Sequence, residues 1–181
     1  MTQGPAMAHP FLRAMDRLYL TCIWVAGTAI FFMSLIIPWG VFTRYMLGTG
    51  SQWPEPIAIL LMMVFTFIGA AAAYRANGHI AVTMLTDALP RPLQAGAAVL
   101  VDALMVVACG FVAWYGTRLC IETWGQSVAE LPWLPVGVTY ASLPLGSAIT
   151  LLFVLERRLL GPQDQRAVVR YEEAPQAEPA A

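Results

Sequence analysis

Four long stretches of this chain carry almost no charge. There is none between Arg17 and Arg44, none between Glu55 and Arg75 and none between Glu130 and Glu156; between Arg91 and Arg118 only Asp102 intrudes. Each stretch matches the roughly 20 apolar residues that a helix needs to cross a bilayer. Composition points the same way. The chain is 59% hydrophobic and 12% charged, against about 25% charged in a soluble domain. A chain of 181 residues cannot hide that much apolar surface in its own core, so its solvent is lipid. The expectation is an all-α integral membrane protein with four transmembrane helices, at about residues 18–43, 54–74, 93–117 and 136–155. The first apolar run is longer than the roughly 7–15 residues of a signal-peptide core. No small-x-small cleavage site closes it, so this helix is expected to be retained.

Arginine orders the connections. Eight of the ten basic residues precede helix one, join helices two and three, or follow helix four; Arg44 and Arg118 alone fall at the other end. The arginine-rich side is expected to face the cytoplasm, with both termini there. Trp39, Tyr45, Trp53, Trp114, Tyr115, Trp124 and Trp133 gather at the opposite ends of the spans, at the depth amphipathic rings prefer. Residues 1–15 read as a loose N-terminal segment, 16–160 as one four-helix membrane domain and 161–181 as a disordered tail rich in Pro, Gln, Glu and Ala. In the linker, Ile80, Met84, Leu85 and Leu89 fall at helical spacing, and Pro90 and Pro92 would end the helix. A short amphipathic helix at about 80–89, lying in the interface, is expected; an ordinary polar loop is the alternative, because the apolar stripe is partial.

Little here can carry chemistry. His9 and His79 both lie outside the spans, which argues against a haem held between helices. No zinc-protease, nucleophile-elbow or phosphate-loop motif occurs. Cys22, Cys109 and Cys120 form no C-x-x-C pair and read as small apolar filler. Neither an enzyme nor a cofactor is implied, and a net charge of −1 offers nucleic acid nothing. Asp102 is the one charged residue in the interior of a predicted span, Glu55 standing at the very start of its own. It lies either inside the membrane, where it should face protein, or at the interface if helix three begins later. Pro38 and Pro144 are placed to kink helices one and four. Gly69 and Ala73 on helix two, and Gly137, Ala141, Ser142 and Gly146 on helix four, form small-x-x-x-small pairs that let backbones approach closely. The spacing does not say whether the neighbour is this chain or another.

Several of these features occur in a familiar order. Arg44, then Trp53-x-Glu55 opening a helix, Gly69-Ala-Ala, Arg75, His79-Ile80-x-Val82 and Leu89-Pro90 are followed by "WGQSVAELPWLPVGVTYASLPLG" from Trp124 to Gly146. From about Asp16 to Gly161 the chain resembles the small membrane subunit of tripartite ATP-independent periplasmic (TRAP) transporters, the DctQ-like family. The resemblance implies a scaffold subunit of the bacterial inner membrane that braces a large, multi-spanning transport subunit. That transporter would take up organic acids, often carboxylates, on a sodium gradient, with a periplasmic binding protein delivering substrate. Glu130 departs from the pattern, standing where a small or apolar residue is common before the Leu-Pro. The small subunit of another tripartite carboxylate system is the alternative, and a stand-alone exporter using Asp102 is a third reading. Expected contacts to partner proteins are Arg44, Trp53, Glu55, Gly69, Arg75, His79, Asp102 and Glu130. Glu55 is equally explained by the dipole at its own helix N-terminus, and Arg75 by the dipole at the C-terminus.

Overall fold

The computed structural model describes residues 10–76, 91–161 and Val169. His79, the expected amphipathic helix at 80–89 and the remainder of the C-terminal tail lie outside the described residues. In chain order the elements are α1 (Pro10–Tyr45), α2 (Pro54–Arg75), α3 (Arg91–Glu122), a hairpin of β1 (Ser127–Val128) and β2 (Leu131–Pro135), then α4 (Val136–Tyr140) and α5 (Ser142–Leu160). Among the described residues, four helical segments are long and apolar enough to span: Pro10–Tyr45, Pro54–Arg75, Val99–Glu122 and Val136–Leu160.

The spans stand in a row, α1–α2–α5–α3, rather than in a closed ring; each packs chiefly on its neighbour in that order. The sequence explains the order. The buried positions of α1 are Met15, Tyr19, Cys22, Ala26 and Ala29, alternating by four and three residues, with Thr43 near its end. That is a single seam, suited to one neighbour at a shallow crossing angle. In α5, by contrast, Gly146 and Ser147 are both buried, and so are Phe153 and Val154. Consecutive helical residues point about 100° apart, so α5 packs on two sides and takes an interior place.

Close approach depends on glycine at two points. A Cβ on Gly146 would lie 2.7 Å from the backbone of Phe67, where α2 and α5 meet, and one on Gly137 would lie 2.6 Å from the Cys120 carbonyl oxygen. The small-residue pairs are therefore used within this chain.

Helix four differs from the single run expected, because it breaks at Ala141 between α4 and α5. Pro144 has no N–H for the Tyr140 carbonyl, and its ring collides with that carbonyl. Pro38 lies inside α1 without interrupting it. Nor was the hairpin expected. Ser127 pairs with Pro135 and Val128 with Leu131, antiparallel; Pro132 and Pro135 favour extended backbone at their preceding residues, and Leu131 and Leu134 are buried. Helix α1 already begins at Pro10, so its first turns fall within the segment expected to be loose. Likewise Val169, from the expected tail, is buried in the core cluster with Met15, Tyr19, Cys22, Tyr74 and Phe153.

Candidate functional site

The charged groups collect at the two ends of the row. At the arginine-rich end, Arg75 closes α2 with its side chain only 1% exposed. Its Nε donates to Glu156 Oε2 at 2.8 Å and its Nη2 to Glu156 Oε1 at 2.7 Å, a two-pronged pair. Nη2 also donates to Asp16 Oδ1 at 2.7 Å. The rings of Tyr19 and Phe153 lie 5.3 and 5.4 Å from the guanidinium carbon, close enough for cation–π attraction. One guanidinium thus ties α1, α2 and α5 together. A charge buried alone would be very costly; two carboxylates and two rings compensate it. Nη1 is buried without an acceptor among the described residues.

Beside it, Asp102 of α3 accepts from Arg158 Nε at 2.9 Å and from the Tyr74 hydroxyl at 3.3 Å. Arg158 Nη2 reaches the Val99 carbonyl at 3.4 Å, and Arg157 lies over the Tyr74 ring at 5.9 Å. Asp102 is therefore level with the last turns of α2 and α5. The helix that carries it begins at Arg91, so Asp102 lies about three turns into α3. Within this chain its charge is paired with Arg158.

At the opposite end, Arg44 and Glu55 face each other at 4.0 Å with side chains 56% and 75% exposed. Such an exposed pair contributes about 0–1 kcal/mol. They share the rim of a groove of about 480 Å³ between α1 and α2, whose walls include Met33, Ile37, Ile59 and Met62. A second cavity of about 430 Å³ is lined by Arg44, Glu55 and Glu130 together. Glu130 sits at the tip of the hairpin. Trp53 precedes α2 and is partly exposed. The fold thus gathers Arg44, Trp53, Glu55 and Glu130 at one end and Arg75 and Asp102 at the other. Gly69 lies apart, where an added Cβ would touch Ala26 of α1 at an ordinary 3.6 Å. Among the described residues, no three His, Cys, Asp or Glu side chains are grouped to hold a metal.

Sequence reasoning missed Asp16, Glu156, Tyr19 and Phe153. Asp16 stands between Arg13 and Arg17, in a flank weighed only for its arginines. Glu156 served only to mark the end of a span. A usable signal existed: Asp16, Arg75, Asp102 and Glu156 fall at the same end of four different spans, so opposite charges there can pair across helices.

Residues 33–161 match the family profile of tripartite ATP-independent periplasmic transporters, DctQ component. A provisionally named TRAP transporter small permease protein of Haemophilus influenzae is 28% identical over 153 residues, covering 82% of this chain and 88% of its own length. The sialic acid TRAP transporter small permease protein SiaQ of Vibrio cholerae is 25% identical over 124 residues, covering 67% of this chain and 70% of its own. With four spans in the order the sequence predicts and a family match over most of its length, this chain belongs to the DctQ family of small TRAP transporter subunits, multi-pass proteins of the bacterial inner membrane.

Proposed function

We propose that this chain is the brace of a sodium-driven organic acid importer. It fixes the scaffold of a large transport subunit and helps a periplasmic binding protein dock. The observation that carries this reading is the Arg75 cluster, in which one buried guanidinium ties α1, α2 and α5 at one end. A brace needs helices that do not slide, and a two-pronged ion pair with its partners fully desolvated resists sliding. At the other end the exposed Arg44, Trp53, Glu55 and Glu130 supply the kind of charged and aromatic rim that meets a partner protein. The relative named for sialic acid, itself a carboxylic acid, supports a carboxylate substrate. Binding of substrate and sodium is assigned to the large subunit. On this reading the arginine-rich end faces the cytoplasm, and the linker helix at 80–89 lies in that interface.

The test is co-purification of the tagged chain from mild detergent. The expected partner is a membrane protein of a dozen or more spans, in a roughly equal amount. Arg44→Ala and Glu55→Ala should each lower its recovery by up to about fivefold, the factor that an exposed pair of about 1 kcal/mol supplies. The unfolding midpoint of the chain itself should stay unchanged. Unaltered recovery in both variants removes these residues from the interface, and recovery of no large partner overturns the brace. In vesicles holding all three proteins, carboxylate uptake should cease when the sodium gradient is collapsed.

A further inference from the structure

A groove opens between α3 and α5, beside the ion pair that joins them. It encloses about 530 Å³ and is walled by Val106, Val107, Leu151 and Leu155, with Asp102 and Arg158 at one end. Its walls are the kind of surface that lies against hydrocarbon: Val107 and Leu155 are largely exposed. Its mouth is charged and ordered. The Arg158 guanidinium is held by Asp102 at 2.9 Å through Nε and touches the Val99 carbonyl through Nη2, yet the side chain stays 44% exposed. Arg157 stands next to it over the Tyr74 ring, and Tyr74 donates to the other oxygen of Asp102. The half-exposed Arg158 guanidinium thus stands at the end of an apolar channel, level with the last turns of two spanning helices, with Arg157 next to it in the chain. An amphiphile with one phosphate above a hydrocarbon chain complements both features, and basic pockets between spans are where anionic headgroups bind. A partner helix would satisfy the apolar walls but has no use for a cation held at their end.

We propose that the α3–α5 groove binds one anionic phospholipid, its phosphate taken by Arg158 and an acyl chain lying along Val106, Val107, Leu151 and Leu155. Asp102 is then a positioning residue: it is in the span to hold a guanidinium at the groove mouth, not to carry protons. This requires only that the chain spans a membrane, and it stands whichever substrate the transporter carries.

The full chain, with any subunits that accompany it, is equilibrated with equal amounts of phosphatidylglycerol and phosphatidylcholine. It is then extracted in mild detergent, and the retained lipid is counted by mass spectrometry. Wild type should retain phosphatidylglycerol preferentially. Arg158→Gln should lower that preference by about fivefold, the factor one basic residue at a charged surface supplies. Ala103→Trp, which fills the groove without touching a charge, should lower the retention of both lipids. Arg17→Gln removes an exposed cation from α1, at the far edge of the row, and should change nothing. Asp102→Asn discriminates best. It makes the site more positive, so bulk electrostatics predicts stronger retention, whereas loss of positioning predicts weaker. A preference unchanged in Arg158→Gln, or lowered equally in Arg17→Gln, overturns the site. Stronger retention in Asp102→Asn overturns the positioning role. A photo-crosslinker at Val107 that captures protein rather than lipid in the assembled complex overturns the choice of occupant.

Discussion

Arg75 and Arg44 carry the same charge and lie at opposite ends of the row, and their surroundings give them opposite weight. The Arg75 guanidinium is shut away from water and spends its donors on Glu156 and Asp16. Removing it strands two carboxylates in a poorly solvated place. Arg75→Ala should therefore destabilise the chain by about 3–5 kcal/mol, the usual cost of breaking a buried pair from one side. Arg75→Lys should recover little, because an ammonium is a point charge and cannot span both Glu156 oxygens. Combining Arg75→Met with Glu156→Leu and Asp16→Asn should recover most of the loss, since no stranded charge then remains. Reversible unfolding in detergent, followed by helical circular dichroism, measures all three variants. Arg75 was legible in the sequence as a residue of interest. Its partners were not, because a charge at a helix end has an adequate local explanation in the helix dipole and gives no hint of a mate many residues away.

The elements were far more legible than the contacts. A bilayer of fixed thickness, with no water to satisfy backbone groups, forces helices of about 20 residues, so charge-free gaps translate directly into spans. The break at Ala141 and the hairpin at 127–135 answer to finer causes: one proline's missing donor, and two prolines in a five-residue strand. Neither leaves a periodic trace. Contact between elements is decided by single atoms, and glycine shows it. Gly146→Ala would set a methyl group 2.7 Å from the carbonyl of Phe67, so α2 and α5 must move apart; a destabilisation of about 1–3 kcal/mol is expected. Gly27→Ala is the control. It lies on the exposed face of α1 with nothing within 4 Å of its new methyl group, and Ala is the better helix former. Its unfolding midpoint should be unchanged or slightly higher. Equal losses in the two variants would mean that the α2–α5 approach is not as close as described.

For the molecule as a whole, the row has α1 and α3 as its outer helices and two differently charged ends. Which end faces which compartment decides what each can do. In the sequence, eight of ten arginines flank the spans on the side that carries the Arg75 and Asp102 clusters, and arginine in short connections is retained on the cytoplasmic side. The rim of Arg44, Glu55 and Glu130 would then face the periplasm, where a soluble binding protein arrives. A membrane-impermeant maleimide tests this in a chain whose Cys22, Cys109 and Cys120 are replaced by Ala. Gln52→Cys, in the exposed loop before α2, should react in whole cells. Ala181→Cys should react only after the membrane is opened. The reverse pattern would leave the family assignment and the buried clusters untouched. It would place the acidic rim in the cytoplasm, however, and end its candidacy for docking a periplasmic protein. The anionic lipid proposed for the α3–α5 groove would then have to come from the outer leaflet of the inner membrane. One labelling experiment therefore sets the compartment of both ends at once, because four spans leave them no freedom to vary separately.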